Sequence, residues 1–233
     1  MPTLDEVMRQ LEEQGTEQNR KIYRRHGVPE PMFGVSYAAL GALRKQIKTD
    51  HELARGLWAT GNHDARILAT MVADPRRVDE PLIEAWAADL RCHALTDAFV
   101  QLVARTPAAR VLAERWASAD DEQLGRAGWH LLGQLALHDP ALPDAYFEPY
   151  LRRIATEIHT RKNRVREAMN NTLIAIGTRS EQLEQAALAT AAAIGPVQVD
   201  HGETNCKTPD AAVYIRKARA RQRQREERSA ASR

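Results

Sequence analysis

The sequence predicts an all-α protein of stacked antiparallel helix pairs, and three observations favour this class. Aromatic residues make up only 5% of the 233-residue chain, whereas alanine and leucine are abundant. Helix start and stop signals recur at short intervals. The one β-like stretch, residues 197–200, is too short to build a sheet alone. Helix propensity does not separate a solenoid from an irregular helical bundle, so the bundle stays the alternative.

Capping residues and prolines mark the helix starts in order along the chain. Ser36 precedes a segment in which Leu40, Leu43 and Ile47 share one helical face. Similar start signals stand at Asp50, Asn62, Pro81, Thr106-Pro107, Asp120–Gln123 and Thr208–Asp210. The pattern predicts further helices over 144–159, 163–176 and 180–194. We therefore expect roughly ten helices of about 10–18 residues.

Two segments depart from the helical pattern. Tyr23–Val35 carries the glycines and prolines of an irregular loop. After Ala220 the chain is strongly basic and lacks apolar anchors. We expect one domain over residues 1–217 and a basic, disordered tail over residues 218–233.

The distribution of charge says more than the net charge of +2. Residues 216–233 hold eight Lys and Arg against two Glu, a net charge of +6. The remaining body has 25 basic and 29 acidic residues, a net charge of −4. Composition therefore does not predict that the body binds DNA, and a binding surface there requires local clustering of cations.

Several classes of protein are disfavoured. No apolar run reaches the ~20 residues of a membrane span, and the charged N-terminal segment does not fit a signal peptide. Cys92 and Cys206 lie in unlike contexts, and neither has a CxxC partner. We expect neither a disulfide framework nor a metal site. The sequence thus predicts a reduced, cytoplasmic protein, and we expect a monomer.

A series of motifs begins at Phe33-Gly34-Val35 and continues through Leu43-Arg44, Leu57-Trp58 and Asn62-His63-Asp64-x-Arg66. Their order and spacing resemble the DNA alkylation repair family, the HEAT-like repeat proteins typified by AlkD-type DNA glycosylases. The similarity extends through Asp97 and Arg126 to about Gly177. Residues 166–177 and 194–217 resemble one branch of that family.

The resemblance implies a HEAT-like helical-repeat solenoid with a concave, basic groove for double-stranded DNA. It also implies excision of cationic N3- or N7-alkylated purines by hydrolysis of the N-glycosidic bond, without a metal or organic cofactor. Such a purine is already a good leaving group, and its loss leaves an oxocarbenium-like sugar. A carboxylate near the sugar and aromatic faces near the cation suit this chemistry.

Asp97 matches the catalytic carboxylate of the family by position. His93 lies four residues earlier, so the two side chains share one face of a helix. Family members have a tryptophan where His93 stands. A helix-capping role for Asp97 and a surface position for His93 are the alternatives.

The DNA-binding candidates lie further along the chain. Arg126 matches a family arginine that faces the DNA backbone, with a solvated arginine as the alternative. Asn171 aligns with the second active-site tryptophan, which is also missing, and Asn170 adjoins it. The paired amides indicate a contact with a DNA phosphate or base edge, and a local kink of the helix or a buried hydrogen bond is the alternative.

A cationic cluster is expected at a helix N-terminus, where a bound phosphate would relieve its unfavourable charge. Its members are Arg161, Lys162, Arg164 and Arg166. A second basic cluster, Arg20, Lys21, Arg24 and Arg25, precedes the family-like segment. Lys207, in the polar loop from Asp200, is a further candidate for contact with DNA. The four tryptophans are expected to pack in the core.

Three functions are compatible with these observations. The first is a glycosylase for alkylated purines. The second is a non-catalytic member of the family that recognises damaged or branched DNA, and the third is a protein-binding helical scaffold. Because both tryptophans are missing, the second function is favoured over the first.

Overall fold

The computed structural model describes residues 2–231, which form thirteen α-helices and no strand within that range. The helices are α1 (Leu4–Gln14), α2 (Glu17–Arg25), α3 (Tyr37–Ile47), α4 (His51–Ala59), α5 (His63–Val72), α6 (Glu80–Ala87), α7 (His93–Val103), α8 (Ala109–Trp116), α9 (Glu122–His138), α10 (Glu148–Glu157), α11 (Asn163–Arg179), α12 (Glu181–Ile194) and α13 (Ala211–Ala231). Short 3-10 turns lie at Pro75–Arg77 and Asp144–Tyr146. The predicted all-α class is confirmed.

The caps at the starts of three helices agree with the sequence prediction. Ser36 Oγ accepts the Ala39 N–H at 3.2 Å, and Asp50 Oδ1 accepts the Leu53 N–H at 3.0 Å. Asn62 Oδ1 accepts two N–H groups at the start of α5. Each side chain satisfies backbone donors that have no partner inside the helix.

Other boundaries differ from the prediction. Helix α8 begins at Ala109 and not directly after Thr106. The Thr106 hydroxyl donates to the Val103 carbonyl at 2.8 Å, just after the end of α7. Helix α10 begins at Glu148, after a 3-10 turn, and not at residue 144. Helix α1 was not predicted, although Thr3 and Glu6 form a capping box that the T-x-x-E pattern could have revealed.

The chain divides into two compact units. The first comprises the described residues up to Val111 together with His201–Asn205. In it α4 packs on α5, α5 packs on α3 and α7, and α1 covers α4 and α5. Leu57, Leu68 and Phe99 are fully buried there. The rings of Trp58 and Trp86 stack in parallel with their centroids 4.2 Å apart.

A buried carboxylate organises the loop before α3. Asp64 is fully buried, and it accepts the backbone N–H groups of Phe33, Gly34 and Val35 at 2.7, 3.0 and 2.9 Å. Gly34 has a φ of 81°, and a Cβ there would meet the Thr16 carbonyl oxygen at 2.6 Å. The loop therefore depends on both the acidic side chain and the glycine.

The second unit comprises Leu112–Asp200 and the described residues from Cys206. Its main helix pair is α9 and α11, and α11 also packs on α12 and α13. Gly128 allows a close approach, because a Cβ there would lie 2.1 Å from the Ala117 nitrogen. Trp116 and Trp129 are buried in this unit, so the prediction that all four tryptophans pack in the core is confirmed.

Helix α13 includes the segment in which a tail was expected. Its Ala211 and Ile215 are buried, and its Arg219 and Arg223 donate to the buried carboxylate of Glu184 on α12. The predicted boundary at residue 218 falls inside this helix, and the proposed division into domain and tail stays a prediction. Residues 232–233 of that tail lie outside the described residues.

No helix of the described residues combines the length and the apolar character that a membrane crossing needs.

Replacing Asp64 with Ala removes the acceptor of three backbone N–H groups in the loop at residues 33–35. We expect the free energy of unfolding to fall by about 3 kcal/mol or more, because each buried donor without a partner costs about 1–3 kcal/mol. Urea unfolding followed by circular dichroism measures the change. Asp79→Ala is the control, because Asp79 is an exposed cap on one N–H and should cost only about 1 kcal/mol. Equal losses in the two variants would contradict this role for Asp64.

Candidate nucleic-acid interface

Helix α7 carries the two predicted catalytic residues. It begins at His93 after Cys92, which has the N-cap position but makes no side-chain capping bond. His93 and Asp97 are both half-buried. The His93 ring lies 6.1 Å, between centroids, from the ring of His26 at the end of α2. The first unit thus places a carboxylate and an imidazole on one helical face, as predicted from their spacing.

Tyr37, at the start of α3, lies close enough to Asp97 for their charges to interact, and the sequence did not predict this. Half of its surface is exposed. Its pKa is raised to about 12, first because surrounding protein desolvates the hydroxyl and then because Asp97, Cys92 and Asp64 disfavour a phenolate. The neutral phenol is therefore the form present at neutral pH. No spacing rule links residues 37 and 97, so only the fold reveals that Tyr37 is near Asp97.

Arg126 is buried and ion-paired in the second unit. Its Nη1 donates to Glu167 Oε2 at 2.7 Å and to the Arg164 carbonyl at 3.2 Å. Arg164 Nη1 donates to the same Glu167 oxygen at 3.1 Å. Burial would raise the pKa of Glu167, but the two arginines outweigh burial and hold that pKa below its usual range. Arg126 is thus buried, and the alternative of a solvated arginine is wrong.

The N-terminus of α11 already has an anionic partner within the protein. Lys162 has the N-cap position without a side-chain capping bond. The backbone N–H of Arg164 donates to Glu122 Oε1 at 2.8 Å. A carboxylate therefore occupies part of the position at which a bound phosphate was expected.

The four cations of this cluster are not equivalent. Arg161 donates to the Ala119 carbonyl at 2.8 Å, and Arg164 pairs with Glu167. Arg166 is half-buried, with its Nη2 3.5 Å from Asn163 Oδ1. Lys162 alone among these four is exposed. The sequence prediction located the cluster but did not reveal that two of its arginines are used inside the unit.

Two asparagines of α11 hold the polar segment that follows α12. Asn163 makes two hydrogen bonds of 2.8 Å with the Asp200 backbone, one as donor and one as acceptor. Asn170 is buried and donates to the Pro209 carbonyl at 3.0 Å. The residues are seven apart and so share a helical face. Asn170 thus makes a buried hydrogen bond, which was one of its predicted alternatives.

Two further predicted DNA-binding residues of this unit are at the surface. Asn171 follows the buried Asn170 and is exposed, and Lys207 is exposed in the segment before α13. Together with Lys162 they offer one amide and two ammonium groups to solvent. The DNA contacts of all the predicted residues stay predictions.

The second basic cluster, on α2, is partly neutralised. Arg24 pairs with Glu17 at 3.1 Å and with Glu30 at 2.9 Å, and Arg20 lies within 4 Å of the same two carboxylates. Lys21 and Arg25 are exposed. Among residues 2–231, no three His, Cys, Asp or Glu side chains converge to hold a metal ion.

Comparison with known proteins identifies the family. The sequence profile described as "DNA alkylation repair enzyme" matches residues 7–218. The chain belongs to this family. Uncharacterised proteins of Listeria innocua serovar 6a and Listeria monocytogenes serovar 1/2a are each 30% identical to this family member over 227 residues. Those alignments cover 95% of this chain and 99% of each relative.

A solved structure resembles this family member with a TM-score of 0.87 at 30% identity, covering 95% of this chain and 96% of the other. It represents a new family of proteins related to the HEAT-like repeat DNA glycosylases with affinity for branched DNA structures. The match confirms the HEAT-like repeat class.

Replacing Arg126 with Ala tests the internal ion pair. The variant loses the closer of the two arginine partners of Glu167, so we expect about 3 kcal/mol less free energy of unfolding at pH 7. The lowered pKa of Glu167 means that this stabilisation is present while the carboxylate is ionised in the folded protein. The difference from wild type should therefore shrink as the pH falls below about 4.5, the usual pKa of glutamate.

Urea unfolding at pH 7 and at about pH 3 gives the two differences, because the stabilisation is lost only as the pH falls through the lowered pKa of Glu167. Arg152→Ala is the control, because Arg152 is exposed on α10 and should change little at either pH. A loss of the same size at both pH values would show that Arg126 stabilises the protein by packing alone.

Proposed function

We propose that this family member binds branched DNA and does not excise bases. The observation that carries the proposal is its match, at 30% identity over 95% of the chain, to a structure from a family with affinity for branched DNA. The second of the three functions derived from the sequence is therefore the one that the similarity favours.

The residues at the two expected aromatic positions support binding without excision. By the family resemblance, His93 and Asn171 align with two tryptophans of the AlkD-type glycosylases. An amide cannot supply the cation–π attraction of about 0.5–2 kcal/mol that an aromatic face gives a cationic purine. Binding through phosphates needs no such face.

The exposed side chains of the second unit are the proposed contacts. Lys162 and Lys207 carry the charges that would meet phosphates, and Asn171 offers an amide for hydrogen bonds. Arg126 and Arg164 would act indirectly, because their pairing with Glu167 holds α11 against α9. Arg161 and Arg166, which are half-buried, would add positive charge at the edge of this proposed surface.

The wild-type protein should bind a four-way junction more tightly than a linear duplex of the same length. Replacing both Lys162 and Lys207 with Gln should lower junction affinity by about fivefold or more at 0.15 M salt. It should also reduce the slope of log K against log salt by about 2, because about 0.9 counterions are released per phosphate contact. Fluorescence anisotropy over a series of salt concentrations gives both quantities.

The matched control removes two exposed arginines of the first unit, Arg9→Gln with Arg55→Gln, and so has the same net charge. It should retain the wild-type slope. Equal affinity of the wild type for junction and linear duplex would disprove the proposed preference. Equal slopes for the two double variants would show that Lys162 and Lys207 do not contact the DNA phosphates.

Base excision is the second candidate, favoured by the half-buried carboxylate of Asp97 beside a neutral Tyr37 phenol. That carboxylate could stabilise an oxocarbenium-like sugar, as the family resemblance implies. This candidate requires that the protein releases free base from DNA.

Incubation with methylated duplex, followed by chromatography of the released bases, distinguishes the two candidates. Our proposal predicts no release above spontaneous depurination. Release that falls about 100-fold or more in Asp97→Asn, but not in the exposed control Asp79→Asn, would establish excision instead.

A further inference from the structure

Helix α13 is held against α12 by an interaction that composition does not predict. Glu184 on α12 is buried, with only 5% of its surface exposed. Its carboxylate accepts Arg219 Nε at 3.0 Å and Arg223 Nη2 at 2.8 and 3.0 Å. Together with the buried Ile215, these contacts extend the packed face of α13 into its basic half.

The packed face determines which side chains of α13 point away from the unit. Ile215, Arg219 and Arg223 follow each other at intervals of four and so lie along one side of the helix. Another set, spaced at i, i+3, i+7 and i+11, forms a second line along the helix. This set, which we call the α13 stripe, consists of Tyr214, Lys217, Arg221 and Arg225, all exposed.

The α13 stripe has the composition of a phosphate-binding surface. At 1.5 Å per residue, its cations are about 6 Å apart along the axis. The acidic residues Glu226 and Glu227 lie on other sides of the helix, according to the same periodicity. Like charges at i, i+4 repel each other, so a polyanion along the stripe would relieve a repulsion that the helix alone retains.

Tyr214 adds a second kind of contact at the N-terminal end of the stripe. It is 53% exposed, and the adjacent Val213 is exposed to the same extent. An exposed aromatic ring beside cations suits stacking on a base that has lost its stacking partner. An open branch point, where neighbouring arms do not stack on each other, exposes such bases.

We infer that the α13 stripe is a DNA-contact surface on which Lys217, Arg221 and Arg225 bind the phosphates of a duplex arm and Tyr214 stacks on a base at the branch point. This inference rests on the proposed function and adds a surface to it. Double-stranded DNA is the favoured occupant because its charge density, about one phosphate per 1.7 Å of axis, puts more than one phosphate within reach of each cation of the stripe.

The test replaces the three cations of the stripe, Lys217→Gln, Arg221→Gln and Arg225→Gln, in the full-length chain. We expect affinity for a four-way junction to fall about tenfold or more at 0.15 M salt. The slope of log K against log salt should fall by about two to three. Circular dichroism confirms that the helix content is retained.

A control of equal net charge removes three exposed arginines elsewhere, Arg9→Gln, Arg55→Gln and Arg152→Gln. Its affinity should stay within about twofold of wild type, and its slope should change by less than about one. Equal losses in the two triple variants would overturn the inference, because the effect would then follow net charge alone. Loss of binding to RNA or to vesicles of anionic lipid, with DNA binding unchanged, would overturn it by assigning the stripe to another polyanion.

Tyr214 is tested separately with Tyr214→Ala and Tyr214→Phe. The preference for a junction over a linear duplex should fall at least about threefold in the alanine variant and persist in the phenylalanine variant, which keeps the ring. An unchanged preference in Tyr214→Ala would show that Tyr214 does not stack on a base. If the wild-type protein binds no DNA, the proposed function is wrong. If the wild type binds DNA and the stripe variant binds it with the same affinity, only this inference is wrong.

Discussion

Burying a carboxylate is costly unless cations or N–H groups surround it. Two buried carboxylates, Asp64 and Glu184, and one partly buried carboxylate, Glu167, organise this protein. Asp64 collects three backbone N–H groups and thereby shapes the loop before α3. Glu167 collects Arg126 and Arg164, and Glu184 collects Arg219 and Arg223. Each acid turns donors inward. Arg126 and Arg164 are thereby largely removed from the surface, whereas half of the Arg223 side chain stays exposed.

Local signals in the sequence predict much of the fold. Ser36, Asp50 and Asn62 cap helices because their short polar side chains reach N–H groups two or three residues ahead, which is a purely local geometry. Thr106 shows the limit of such reasoning. A threonine hydroxyl can accept an N–H at the start of a helix or donate to the carbonyl three residues before it, and the sequence around Thr106 is compatible with both. The tertiary fold selects the second geometry.

The candidate site was less predictable for the same reason. The shared face of His93 and Asp97 follows from their spacing, as does the Arg164–Glu167 pair at i, i+3. The partners of Arg126 and of Asn170 lie 41 and 39 residues away, so no periodicity predicts them. A long side chain of known type on a known helical face still has two choices, solvent or a distant acceptor. Arg161, which folds back on the Ala119 carbonyl, shows that clustered cations in a sequence overstate the charge available at a surface.

Net charge is a poor guide to polyanion binding for a related physical reason. At physiological salt, charges are screened over about 8 Å, so an approaching phosphate responds to its nearest cations and not to the sum over 233 residues. A body at −4 can therefore coexist with a surface that attracts DNA, provided that the cations are ordered and adjacent. Glu184 supplies that order. Its buried negative charge fixes two arginines of α13 and so holds the remaining basic side chains along a defined face of the helix. A disordered segment of the same composition would lose conformational entropy on binding DNA.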